Sequence, residues 1–373
     1  WTPQFSWRLA PTPDAVIAFD EATGSGPADV VDAVRLGSGL IVVASARAMR
    51  LEAYDAYGRL VRVVRRRGKG PGEFSGMRHL WRTPGDSLLV FEGGRTRQFV
   101  LFDSAGHFAR SWAAFGVDSS THYLIPVAPL ADGGLAMRTM NVITPAPAPA
   151  LVVERPFTNL VVFDGTWRLA RRLGQFPDTK RFRGPDAMLG ELFFSTDTRF
   201  AFGATVWYAG DSEHSEVRTY DTTGALVRIV RWPSMSAAVK PGHIAAEQER
   251  LIADRRALFS NMPQLQRRFI DGGLRPMFQR MPYPARFPEY ADLVVDPAEH
   301  LWVLEYTSPG AMEHEALKAL VFDPTGRWLG RIQFPMRFRP LDIGRDYVLG
   351  ARSDEFDVPR VELYRLTKPS SRR

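Results

Sequence analysis

Short segments in which apolar and polar residues alternate recur along the chain, and five of them end in an aromatic residue followed by Asp. Alternation with a period of two predicts strands with one buried face. An Asp side chain accepts hydrogen bonds from nearby backbone amides, and a Gly close behind supplies the positive φ that a tight hairpin needs. We therefore predict a strand, a turn and a second strand at each aromatic-Asp pair: Tyr54-Asp55, Phe102-Asp103, Phe163-Asp164, Tyr220-Asp221 and Phe322-Asp323.

Further strands precede several of these hairpins, for example at 31–36, 40–44 and 87–91. Four strands per repeat are typical of a propeller blade. A sixth unit within 341–366 has no fourth strand, and an unpaired sheet edge promotes aggregation. The alternating residues 5–9 supply that strand, so we predict an all-β, six-bladed β-propeller in which the N-terminal strand closes the last blade, with 1–373 as a single domain.

The interval between Asp221 and Asp323 is 102 residues, longer than any other interval between these aspartates. Within it the apolar residues of 242–259 recur at helical spacing and lie on one stripe. A second helix is predicted at 264–270. We therefore expect a helical insertion at 236–285, between blades four and five.

Two further motifs carry a resemblance to a known family. A Gly-rich turn at 68–74 ends in Gly-Glu-Phe, and Arg97 precedes the strand that ends in Phe102-Asp103. The turn and strand resemble the NHL repeat, and the chain is similar to bacterial six-bladed propellers with a Gly-Pro-Gly-Glu-Phe signature. Residues 287–303 are similar to the penultimate blade of that family. The resemblance covers about residues 30–366 without the insertion, and 173–176 (Leu-Gly-Gln-Phe) matches as a shortened form of the turn. The resemblance implies the fold, not an activity.

Composition narrows the chemistry. The 45% hydrophobic content is enough for a large core, and the net charge of +7 comes with 43 Arg and only 5 Lys. The absence of Cys excludes disulfides, thiolate metal sites and thiol nucleophiles. No stretch reaches the roughly 18 uncharged apolar residues that span a bilayer, so we expect no transmembrane segment. The chain begins with Trp1 and not Met, which favours a removed signal peptide and a periplasmic or otherwise extracytoplasmic location.

Candidate catalytic groups do not form a pattern. The repeated aspartates occupy turn positions, where they cap hairpins. The seven His residues have no common place in the repeat, and Asn141, Asn159 and Asn261 are not at equivalent positions. Nothing in the order of Ser, His and Asp indicates a triad. We therefore expect no catalytic residue, no cofactor and no metal ligand.

The leading hypothesis is a non-catalytic interaction platform with a protein partner, as an extrinsic subunit docked on a membrane complex; a photosynthetic or respiratory host is conjecture. One alternative is a metal-dependent lactonase or lyase with its site in the central channel, and a second is RNA or polyanion binding on a basic face. The candidate interaction surface combines a basic run with an adaptable apolar group near the end of the insertion. Its residues are Arg65, Arg66, Arg67, Lys69, Met262, Met277, Phe278 and Met281. Packing of that apolar group on the blade below is the alternative.

Overall fold

The protein folds mainly into β-strands. The computed structural model describes residues 7–19, 26–27, 29–46, 48–65, 76–93, 97–114, 122–141, 150–184, 189–262, 264, 268–308, 310–312, 314–354 and 358–368. Within these residues many small antiparallel sheets form, with few helices. The predicted all-β class is confirmed. No helix in the described part of the chain is long and apolar enough to cross a membrane.

Two short strands near the N-terminus, β1 (Arg8–Leu9) and β2 (Ala15–Ile17), pair antiparallel with the last strand of the chain, Pro359–Thr367. Leu9 lies opposite Leu366, and Val16 lies opposite Glu362. The predicted strand pairing between the two chain ends is therefore present, but it is divided between two strands. The alternating pattern predicted one strand at 5–9, of which residues 5 and 6 lie outside the described residues.

Five four-stranded sheets follow one another along the chain, and in each the strands pair in sequence order. The first sheet has β3 (Val30–Arg35), β4 (Ile41–Ser45), β5 (Arg50–Tyr54) and β6 (Leu60–Arg65). The second has β7 (Met77–Thr83), β8 (Ser87–Glu92), β9 (Gln98–Phe102) and β10 (Phe108–Ala113), with a 3₁₀ turn at Pro84–Asp86. The third has β11 (His122–Pro129), β12 (Leu135–Asn141), β14 (Phe157–Phe163) and β15 (Leu169–Pro177).

The fourth sheet has β18 (Thr198–Phe202), β19 (Val206–Asp211), β20 (Glu216–Asp221) and β21 (Leu226–Arg231). The fifth has β22 (Tyr290–Val295), β23 (Leu301–Glu305), β24 (Lys318–Phe322) and β25 (Trp328–Gln333). A sixth sheet combines β26 (Phe338–Ile343), β27 (Tyr347–Ser353) and β28 (Pro359–Thr367) with β1 and β2. A small three-stranded sheet, which the sequence analysis did not predict, consists of β13 (Val152–Glu154), β16 (Arg181–Arg183) and β17 (Leu189–Glu191).

Apolar side chains fill the spaces between successive sheets. Separate buried clusters join the first sheet to the second, the second to the third, and so on to the sixth. A further cluster joins the sixth sheet back to the first, with Ile41 packed among Leu349 and Val361. Because clusters lie on both faces of the first sheet, every residue of its inner strand β4 is buried.

The hairpin aspartates act as predicted. Oδ1 of Asp221 accepts the backbone N–H groups of Thr223 at 2.8 Å and Ala225 at 3.0 Å, together with the Thr223 hydroxyl at 2.6 Å. The same pattern recurs at Asp55, Asp103, Asp164 and Asp323. Hydrogen bonds from the Thr223 hydroxyl and from the backbone lower the pKa of Asp221. The predicted role of these residues as hairpin caps is confirmed.

One local prediction was wrong. Residues 173–176, predicted as a shortened connecting turn, lie within β15 and pair with β14. Gly174 allows this because its φ of +143° suits glycine. The second predicted helix, 264–270, is helical at its described residues, 264 and 268–270, and the helical segment continues beyond it. A π-helical segment, Ile270–Leu274, continues into α2 (Arg275–Arg280), whereas α1 (Pro241–Leu258) coincides closely with the first predicted helix.

Candidate functional site

The predicted basic surface cannot be placed in full. Arg66, Arg67 and Lys69 lie outside the described residues. Arg65 is the last residue of β6, where its backbone lies opposite Leu51 of β5. This part of the candidate surface stays a prediction.

The predicted apolar surface is mostly internal. Phe278 and Met281 are buried in one cluster with Phe182 and Leu192, and Met277 packs against the same cluster. The reason is the small sheet, which offers the helices an apolar face that the sequence pattern did not predict. The fourth residue of the predicted apolar surface, Met262, is exposed, with 53% of its surface open to solvent.

The helices and the small sheet form one unit, here called the helix-sheet module: β13, β16, β17, α1, the π-helical segment and α2. Phe182 of β16 is fully buried against Ile252 of α1 and Ile270 of the π-helical segment. The amide of Gln248 donates to the Tyr283 hydroxyl at 2.7 Å, and that hydroxyl donates to the Phe278 carbonyl at 3.0 Å. Burial raises the pKa of Tyr283, which keeps this donor protonated.

Aromatic and ionic contacts attach the module to the larger sheets. The Phe287 ring lies 4.9 Å from the Phe194 ring and stacks on Tyr306 at 5.5 Å, directly after β23. At the end of β13, the Arg155 guanidinium contacts Asp211 at 2.7 Å and Glu213 at 2.8 Å, both at the end of β19. Because Arg155 is only partly exposed and pairs with two carboxylates, it fixes the end of β13 against the fourth sheet.

The outer edge of the module is apolar and open. In the described chain β13 pairs on one side only, with β16. Val153 shares a face with Phe182, yet the helices cover Phe182 and leave Val153 48% exposed. Leu151, Val152 and Phe157 are exposed beside it. An apolar edge strand with free backbone groups is a template for strand pairing, so this is the strongest candidate contact surface in the described residues.

Polar groups also recur on the first strands of the sheets. A β-bulge places Asp32, His79, Asp292 and Asp342 at corresponding positions of β3, β7, β22 and β26. Burial raises the pKa of Asp32 to about 7 and also raises the pKa values of Asp292 and Asp342. The sequence pattern of His and Asn residues did not point to these aspartates. Their signal was an Asp beside the apolar run of a first strand, as in Ala-Asp-Leu-Val-Val at 291–295.

These aspartates connect neighbouring sheets. Asp32 of the first sheet accepts the backbone N–H of Leu80 in the second sheet at 3.1 Å. Asp342 of the sixth sheet accepts the backbone N–H of Arg35 in the first sheet at 2.8 Å. Arg138 of the third sheet contacts Asp197, just before β18, at 3.0 Å. In the described residues no three His, Cys, Asp or Glu side chains converge as metal ligands.

No family model matches the chain, and no curated protein matches its sequence. Solved structures match its fold. A member of the DUF4221 family from Bacteroides vulgatus has 9% identity and a TM-score of 0.56, with 97% of this chain and 98% of that chain covered. An exported protein from Bacteroides fragilis has 10% identity and a TM-score of 0.48, covering 98% and 96%. Virginiamycin B lyase from Staphylococcus aureus has 8% identity and a TM-score of 0.44, covering 98% and 99%.

The matched proteins are β-propeller-like, and the similarity to the Bacteroides vulgatus structure shows that this chain has a β-propeller-like fold. At 9% identity it shows the fold alone. Function therefore has to be argued from the residues of this chain.

Proposed function

We propose that the protein is a non-catalytic, extracytoplasmic β-propeller that acts as a platform for protein binding, docked as an extrinsic subunit on a membrane complex. The single observation that carries the proposal is the exposed apolar edge of the helix-sheet module, at Leu151, Val152 and Val153. Soluble monomers rarely leave an apolar edge strand open, because it pairs with other chains.

We further propose that the six larger sheets are the blades of one closed ring. The apolar cluster between the sixth and first sheets supports closure, as does the pairing of β1 and β2 with β28. Gly58, in the first sheet's outer hairpin, also supports it. A Cβ there would lie 2.4 Å from the Val16 carbonyl oxygen, so the N-terminal segment passes close over the first sheet. A rigid ring suits a platform because its projections keep a constant orientation.

The proposed partner contributes an extended strand that pairs with β13. Main-chain hydrogen bonds supply affinity in such strand addition, and side chains on alternate positions supply specificity. Val153 on one face and Val152 on the other present apolar contacts to the added strand. The Arg155 ion pairs hold β13 in place before binding, which lowers the entropy cost of association.

The test is co-purification from the native cell. The tagged chain and its Val153→Arg variant are isolated from membranes in mild detergent and run on native gels. We expect the unmodified chain to migrate with a membrane complex in a fixed ratio, and the variant to lose at least about tenfold in affinity because it buries an unpaired charge. Val227→Arg is the matched control, since Val227 lies on the edge strand β21 and is 53% exposed.

Three outcomes would contradict the proposal. In the first, the native protein runs alone as a monomer. In the second, Val153→Arg stays with the complex as fully as Val227→Arg does. In the third, the purified protein is a dimer that Val153→Arg dissociates, which assigns the edge to a second copy of the chain. Fractionation of the same cells tests the extracytoplasmic location.

A further inference from the structure

A cavity of about 270 Å³ lies where turns of the first, second, fifth and sixth sheets meet. Arg35 at the end of β3, Arg82 near the end of β7 and Arg345 in the turn after β26 line it. Pro297, Gly37 and Tyr347 also line it. Three arginines from three sheets therefore line one small cavity, and none of them belongs to the helix-sheet module.

These guanidinium groups have no carboxylate within ion-pair distance in the described residues. Arg82 donates one hydrogen bond to the Arg35 carbonyl at 3.1 Å, and Nε of Arg35 is buried without a hydrogen-bond partner. Three carboxyl groups lie near them. Asp346 lines the cavity and is exposed, and Asp86 accepts the Gly37 N–H at 3.0 Å. Asp342 is buried; burial raises its pKa, and the charges of Arg82 and Arg35 offset part of that rise.

The site is also held in shape. The Arg35 guanidinium lies 4.8 Å from the centre of the Tyr347 ring, a cation–π contact. The Tyr347 hydroxyl donates to Oδ2 of Asp342 at 2.8 Å, and the same oxygen accepts the backbone N–H of Arg35 at 2.8 Å. Asp342 thus positions Arg35 through both its backbone and its ring partner. At Gly344 a Cβ would lie 2.0 Å from the Tyr347 ring, so only glycine leaves that ring in place.

We propose that this cavity binds a small molecule through a carboxylate or phosphate group. Guanidinium groups bind both oxyanions with paired hydrogen bonds, and Arg35, Arg82 and Arg345 offer such donors from different directions. The volume of about 270 Å³ admits a small organic acid or phosphate ester but not a polymer. The site is independent of the platform function, because its residues belong to other sheets than β13.

Titration calorimetry at low ionic strength tests the proposal, with inorganic phosphate and citrate as separate probes. We expect one of them to bind with a stoichiometry of one, and added salt to weaken the binding. Arg82→Ala and Arg345→Ala should each reduce affinity about tenfold, since each removes a charge-assisted donor from an exposed position. Arg59→Ala is the matched control, because Arg59 is an exposed arginine in a hairpin outside the cavity.

Tyr347→Phe gives a second measure, since it removes the hydroxyl that Asp342 holds but keeps the ring under Arg35. We expect a smaller loss of affinity than for Arg82→Ala. Tight binding of citrate alone assigns a carboxylate ligand, and binding of phosphate alone assigns a phosphate ligand. Failure of both probes to bind below about 10 mM overturns the proposal. So does an equal loss in Arg59→Ala and the cavity variants, because binding would then follow net charge only.

Discussion

Replacing Trp7 with alanine should destabilise the whole fold. Trp7 lies just before β1 and is only 7% exposed, within the cluster that joins the fifth and sixth sheets. Its ring lies 4.8 Å from the His300 ring and 5.7 Å from the Trp302 ring, both edge to face. The Lys368 ammonium, just beyond β28, lies 4.5 Å from the same ring. One side chain near the start of the chain therefore joins the fifth sheet to the end of the sixth.

The expected loss follows from the buried area. A Trp side chain buries about 200 Å², and at roughly 25 cal/mol per Å² this contributes about 5 kcal/mol. The unfolded chain already covers part of that surface, which reduces the figure by about 10–40%. We therefore expect Trp7→Ala to lower the free energy of unfolding by about 3–5 kcal/mol, in the range measured for buried Trp substitutions.

The measurement is urea unfolding followed by far-UV circular dichroism, with linear extrapolation to water. Val16→Ala is the control, since Val16 belongs to β2, pairs with the same strand and is 41% exposed. It should lose less than about 1 kcal/mol. If Trp7→Ala differs from Val16→Ala by less than about 1 kcal/mol, the N-terminal segment does not seal the ring, and the reasoning on closure fails.

Three further predictions concern single residues. Burial raises the pKa of Asp32 from 3.8 to about 7 in the folded state, so its neutral form stabilises the fold fully below pH 4. That stabilisation is lost as the pH rises through 7, which lowers the free energy of unfolding by up to about 4 kcal/mol. Asp32→Asn should remove this fall from unfolding curves recorded between pH 4.5 and 8. Asp323→Ala removes the acceptor for two backbone N–H groups and should lower the free energy of unfolding by about 1–2 kcal/mol in urea titrations. Gly344→Ala should displace the Tyr347 ring, lowering the melting temperature and weakening phosphate or citrate binding together; unchanged binding would contradict the positioning role of that ring.

The repeat was readable because its signal is local. The Asp of each hairpin accepts N–H groups only two and four residues on, so the spacing seen in the sequence is the geometry seen in the structure. The helix α1 was readable for the same reason, from the period of its apolar residues. The all-β class and the pairing of the chain ends followed from these patterns together with the need to cover a sheet edge.

The helix-sheet module was not readable in the same way. Each strand of the small sheet has three residues, too few to show a period, and β13 and β16 come from segments on either side of two longer strands. Phe278 and Met281 pack against Phe182 of that sheet, a partner that no local pattern in the sequence identifies. The buried aspartates of the first strands were visible only as single letters, because a β-bulge depends on the register of the neighbouring strand.

The sequence by itself determined the hairpins, the strand-rich class and the place of the long helix, since these depend on contacts between residues a few positions apart. The tertiary structure alone decided which side chains share a space. Arg35, Arg82 and Arg345 are separated by 47 and 263 positions, yet they line one cavity. Val153 is exposed because the helices that cover Phe182 do not extend over it. Both features depend on how distant segments pack, which no local pattern along the chain encodes.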